Sequence, residues 1–178
     1  MSNQVYRKND YIDPQNSEKY YTIPTPTIGS KYTRTTQQNI VNATPQPVAV
    51  AFTSTLYDNP QGYYQYLNDG INFLKSGYYT ISSAGVLIGM TGTVSDAKIT
   101  LSYAPLSYVT GLAQRYMTTV AANSKVSWDF AYTGFFNVGE TIAVYLQATV
   151  GTNSIHTGVA ADGVINPKLD ITLLSSTY

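Results

Sequence analysis

An all-β fold is predicted for this chain: a two-sheet antiparallel jelly-roll sandwich over residues 37–178, with residues 1–36 as an extended N-terminal arm. Segments in which apolar and polar residues alternate recur from Gln37 onward, as in Tyr78–Ile88 and Lys125–Phe136. Such alternation puts successive side chains on opposite faces of a pleated strand. Turn residues punctuate these segments at close intervals, the pattern of a sandwich and not of alternating strands and helices. No apolar run keeps a helical period for a dozen residues, and β-branched and aromatic residues dominate.

The arm comes first. It holds Arg7, Lys8, Asp10, Asp13, Glu18, Lys19, Lys31 and Arg34 together with Pro14, Pro24 and Pro26, and shows no apolar periodicity beyond Tyr20-Tyr21-Thr22-Ile23. Such a composition cannot build a core of its own. It also carries Tyr6, Tyr11, Tyr20, Tyr21 and Tyr32, and tyrosine, with an apolar body and a hydrogen-bonding tip, is enriched at interfaces. The arm is therefore expected to become ordered on a partner.

The body is expected to place strands at Asn39–Val41, Val48–Thr53, Gly62–Leu67, Gly70–Phe73, Tyr78–Ile88, Ala97–Tyr103, Gln114–Val120, Lys125–Phe136, Glu140–Val150 and Leu169–Leu174. Asp58-Asn59-Pro60-Gln61-Gly62, Asn68-Asp69-Gly70, Ser76-Gly77, Thr91-Gly92, Val138-Gly139 and Asp162-Gly163 supply the special backbone angles that tight turns need. On Lys125–Phe136, alternation sets Trp128, Phe130 and Tyr132 on one face and Asp129 on the other.

Composition narrows the function classes. The 178 residues carry a formal net charge of zero, so no overall field draws the chain to nucleic acid or anionic lipid. Charged residues make up 11% of the chain, against a usual share of about 25%, and polarity comes from hydroxyls, amides and 17 tyrosines. That surface suits a protein packed against copies of itself or other chains. With no cysteine, disulfides and thiolate metal sites are excluded. No apolar run follows Arg7-Lys8, so a secretory signal is not expected and synthesis in the cytoplasm is; no segment is long and apolar enough for a membrane-spanning helix. The sequon Asn42-Ala43-Thr44 is read as coincidence in that setting.

Groups for catalysis are scarce. His156 is the only histidine; a Ser-His-acid set could draw only on Ser154 or a distant serine with Asp162, and neither serine lies in a nucleophile-elbow sequence. His156 is read as an exposed histidine in the loop Gly151–Gly158. Of the body acids Asp58, Asp69, Asp96, Asp129, Glu140, Asp162 and Asp170, most neighbour turn residues and are read as structural. No calcium, phosphate or zinc motif is present, and no cofactor, metal site or catalytic residue is expected.

Phe73-Leu74-Lys75-Ser76-Gly77-Tyr78-Tyr79-Thr80-Ile81, then Val138-Gly139-Glu140-Thr141-Ile142-Ala143-Val144, then the final Leu169–Leu174 strand resemble the globular-head domain of the complement and tumour-necrosis-factor superfamily over residues 62–175. Glu140 stands where that family usually has Asp, the last strand lacks the aromatic-small-Gly signature, and there is no collagen-like stalk. The resemblance implies a ten-stranded jelly roll and a three-fold homotrimer. Members of this fold that lack a signal peptide and cysteine and carry an N-terminal arm are, it further implies, often parts of virus or phage particles.

The expected function is a non-enzymatic virion structural protein, a minor capsid, decoration or cap protein held to other capsid proteins by its arm. The alternative is a receptor- or glycan-binding tip, with Trp128 and loop tyrosines stacked on sugars. Tyr6, Tyr11, Tyr20, Tyr21, Tyr63, Tyr64, Tyr78, Tyr79 and Tyr145 are the residues expected at the trimer or capsid interface.

Overall fold

A computed structural model describes residues 10–12, 20–22, 27–40, 47–92, 94–104, 111–149 and 154–176. The described strands are β1 (Asp10–Ile12), β2 (Tyr20–Thr22), β3 (Gly29–Thr33), β4 (Asn39–Ile40), β5 (Val48–Ala49), β6 (Ser54–Asn59), β7 (Tyr64–Leu67) and β8 (Gly70–Phe73). They continue as β9 (Gly77–Thr91), β10 (Val94–Tyr103), β11 (Gly111–Val120), β12 (Lys125–Phe136), β13 (Thr141–Thr149), β14 (Ser154–Thr157) and β15 (Lys168–Ser176). No helix among the described residues is long and apolar enough to cross a membrane.

Two antiparallel sheets face each other. One has six strands in the order β11-β10-β13-β8-β7, with β5 added to β13. The other has seven and is organised by β9, whose 15 residues reach past the length of any single neighbour. β12 pairs along one side of β9 from Gly77 to Ile88. On the other side β15 takes the first half and β14 the second, with β3 and β6 continuing beyond β15 and β4 beyond β14. This is the two-sheet jelly roll that the alternation predicts.

Every segment expected to be a strand contains one, and the structure adds β1, β2, β3, β6 and β14. β3 corrects the arm boundary. Gly29–Thr33 is not part of an arm; it is an interior strand between β15 and β6, with Tyr32 opposite Leu169 and Thr55. Its buried residues are Gly29, Ser30, Tyr32 and Thr33, so a strand of the sandwich reads as a polar segment in sequence. The body therefore includes residues 29–33. Earlier in the chain, β1 and β2 pair antiparallel, with Tyr11 opposite Tyr21.

The core lies between the inner faces, and its largest buried residue is Trp128. Trp128 sits directly across from Gly85 on β9, and its ring occupies the space where a Cβ at Gly85 would fall, 2.3 Å from Cη2. The missing side chain is what admits the indole. Phe73 stacks on Phe136 with ring centroids 4.4 Å apart, and Tyr79, Tyr103 and Tyr132 meet Phe136 edge-on. Aromatic pairs in these geometries are worth about 0.5–1.5 kcal/mol beyond burial.

A polar chain closes the sandwich at the β3–β6–β7 side. Ser30 Oγ donates to Asp58 Oδ1 at 2.5 Å, which leaves the Tyr64 hydroxyl as donor to Ser30 Oγ at 2.8 Å, and the Tyr32 hydroxyl donates to the same carboxylate at 3.1 Å. Tyr64 belongs to the six-stranded sheet and the others to the seven-stranded one, so the chain ties the sheets together. Burial raises the Tyr64 phenol, and it pushes Tyr32 up to about 12. The β7–β8 hairpin turns through Asn68 and Asp69, both at positive φ, the geometry a two-residue hairpin requires.

Candidate assembly face

The inner face of the seven-stranded sheet makes the core; its outer face is the candidate site. On β12 the outward residues are Lys125, Ser127, Asp129, Ala131, Thr133 and Phe135, alternating with Trp128, Phe130, Tyr132 and Phe136 inside. Register places Phe135, Thr133, Ala131 and Asp129 beside Tyr78, Thr80, Ser82 and Ala84 of β9. Beyond these come Thr172, Asp170 and Lys168 of β15, and then Gly29, Lys31 and Thr33 of β3. The middle of the face thus combines small or hydroxylated side chains with the charged Lys31, Asp129, Lys168 and Asp170.

Its polar groups are partly satisfied within the chain. Thr80 and Thr133 share a hydrogen bond of 2.9 Å. Lys31 Nζ lies 3.3 Å from Asp170 Oδ1, a contact without hydrogen-bond alignment, so that oxygen has no donor. Asp129 and Lys168 have no ion-pair partner among the described residues. Together with Ser82, Ala84, Ala131 and Asp170 they line a shallow depression on the face.

At one end the face turns apolar. Tyr78 and Phe135 are 50% and 37% exposed and meet edge-to-face at 5.2 Å, and Leu174 nearby is 58% exposed. β3 starts at Gly29, opposite Thr172, at this same end. β12 also has no strand on its outer side among the described residues. A long strand with one bare edge is an open template for another chain.

The tyrosines expected at an interface divide. Tyr78 is on the exposed apolar end. Tyr64 and Tyr79 are 1% and 0% exposed and belong to the interior of the single chain, which corrects their assignment to an interface. Tyr79 donates its hydroxyl to the Lys75 carbonyl at 2.8 Å and Tyr64 is used in the polar chain; each phenol is satisfied internally. Tyr63 is half-buried under the Lys75 ammonium, 4.3 Å from the ring centroid. Tyr145 is half-buried on β13, in the other sheet, and burial raises its phenol. Tyr11, Tyr20 and Tyr21 lie on β1 and β2, and Tyr6 lies outside the described residues.

Two further expectations are corrected. Trp128 is 1% exposed, with its Nε1 3.4 Å from Ser83 Oγ, so its indole cannot stack on a sugar. His156 is not an exposed loop residue. It is 6% exposed on β14, opposite Asn39 and Ile88, with Nδ1 3.1 Å from the Thr157 carbonyl. Consecutive buried residues at β14 hide the alternation that would have marked a strand.

The acids in the loops do turn work. Asp162 accepts from the Val159 amide at 2.9 Å and the Gln37 side chain at 2.7 Å, and the Val159 bond is the main reason its carboxyl is held below the usual range. Glu140 accepts from the Asn137 amide at 2.7 Å. No group of three or more metal-ligating side chains occurs among the described residues.

No protein-family model matches the chain, and no curated protein sequence does. Solved structures do. Eiger TNF from S. frugiperda superposes with a TM-score of 0.54 at 13% identity, covering 86% of this chain and 96% of that one. Murine APRIL at pH 5.0 gives 0.58 at 13% identity over 83% and 99% of the two chains. Murine APRIL at pH 8.0 gives 0.51 at 11% identity over 82% and 98%. The chain therefore has the tumour-necrosis-factor-like jelly-roll fold that its three strand motifs resemble.

Proposed function

We propose that this chain is a non-enzymatic structural protein of a virus or phage particle, a homotrimer formed through the outer face of the seven-stranded sheet and attached to other capsid proteins by residues 1–26. The observation that carries the self-association is that face: rich in small side chains in the middle, apolar at one end around Tyr78, Phe135 and Leu174, and bordered by the edge of β12, which has no strand beside it among the described residues. A surface poor in charge, 11% of residues, and rich in tyrosine supports a life in contact with other chains. The resemblance to the tumour-necrosis-factor fold supports three-fold symmetry.

The attachment role is supported by composition and by topology. Residues 1–26 are proline-bearing, tyrosine-rich and too poor in apolar residues for a core, and β3, which follows them in the chain, begins beside the exposed aromatic end. Ordering such a segment costs about 1–2 kcal/mol per residue in backbone entropy, which a large contact with a shell would offset.

The test has two readings. Light scattering on the full chain after size exclusion should give three times the mass of one chain; a monodisperse monomer overturns the assembly. Deleting residues 1–26 should leave a folded trimer that no longer appears in purified particles, and normal incorporation of that truncated chain overturns the attachment.

A further inference from the structure

The outer face carries an anion and a cation that the isolated chain leaves apart. Asp129 on β12 and Lys168 on β15 are both paired in register with Ala84 of β9, one from each side. They are separated by two strand spacings, about 10 Å, too far for an ion pair, and the short Ala84 side chain lies between them. Lys31 and Asp170, on adjacent strands of the same face, already meet at 3.3 Å. Lys125 donates to the Asp162 carbonyl, and Asp129 and Lys168 line one depression with Ser82, Ala84, Ala131 and Asp170.

We infer that Asp129 of one protomer and Lys168 of the next form an ion pair across the assembly contact, and that this pair sets how the copies are aligned. The inference rests on the reading of this face as a self-association surface. Burying either charge alone is strongly unfavourable, and the opposite charge of a neighbour offsets a large part of that cost. The small floor lets a neighbouring strand approach closely enough to deliver the opposite charge. Because the two charges come from different strands of one face, each protomer can give Asp129 to one neighbour and Lys168 to the other. That head-to-tail use is compatible with the closed ring proposed above, in which every copy gives one charge to each neighbour. The occupant of the face is thereby a second copy of this chain, chosen by its own complementary pattern.

The experiment is a charge swap on the full chain, read as the dissociation constant of the assembly by sedimentation over a dilution series. Asp129→Lys and Lys168→Asp should each weaken assembly by about ten-fold or more, and the double variant should return to within about three-fold of the unaltered chain. Asp129→Asn, which keeps the shape, should weaken assembly without rescue by Lys168→Asp. Circular dichroism on each variant checks the fold, which outward positions leave intact. If the unaltered chain assembles and the single swaps do not weaken it, or the double is as weak as the two singles combined, the ion pair is overturned while the assembly face stands. If the unaltered chain stays monomeric at every concentration, the assembly face itself is overturned and the pair with it.

Discussion

The two faces of β12 are drawn from one run of twelve residues, yet they do unlike work. Inward, Trp128, Phe130, Tyr132 and Phe136 make the core; outward, Ser127, Asp129, Ala131 and Thr133 make a surface with little volume and little charge. The inner set is shaped for one fixed packing, as the indole in the Gly85 gap shows. The outer set has small side chains, which would leave room for a neighbour's backbone in the proposed assembly. Stability and the proposed association are thereby separated by a single residue step along the strand.

Trp128→Ala should break the inner side most severely. Removing a fully buried aromatic and leaving its cavity costs about 3–5 kcal/mol, which thermal or chemical denaturation will read as a large drop in midpoint. A loss below about 1 kcal/mol would mean the indole is not the centre of the packing.

Tyr64→Phe should cost less, about 1–2 kcal/mol, because it keeps the ring and removes only the donor to Ser30. The same chain of phenols makes stability sensitive to alkali. Burial holds Tyr32 up to about 12, above the ordinary phenol value of about 10. Its contribution is therefore complete below about 10 and is lost as pH rises through about 12, since the unfolded chain ionises first. Denaturation midpoints from pH 9 upward should fall less steeply in Tyr32→Phe than in the unaltered chain, and identical slopes would remove Tyr32 from the account.

Ala131→Arg, on the outer side, should shift the unfolding midpoint of the separated chain by no more than about 0.5 kcal/mol. Light scattering should nonetheless show loss of the assembled mass. If assembly survives an arginine at this position, the centre of the face is not the contact.

How legible these regions were follows from their inner residues. β9, β12 and β13 bury aliphatic and aromatic side chains at alternate positions, so their period stands out in the sequence and fixes the fold class. β3 does not, because its buried positions include Ser30 and Thr33, whose hydroxyls are satisfied by Asp58 and by the Pro167 carbonyl. β6 is an edge strand whose residues Thr55, Leu56 and Tyr57 are all exposed, with no alternation to read. Sequence separates Trp128 from Asp129 by face but not by exposure, so Trp128 passes for a surface ring until Gly85 is seen across from it. Tyr64 and Tyr79 misled for a related reason: each hydroxyl is satisfied inside one chain, by groups distant in sequence or on the backbone.

β15 lies between β9 and β3, hydrogen-bonded to both. The sheet therefore stays split until β15 enters that gap, joining an early segment to the middle of the polypeptide. Lys168 arrives with it. The surface of the proposed assembly is thus complete only with β15 in its gap, and a copy whose β15 is not yet docked has nothing to offer a sibling there.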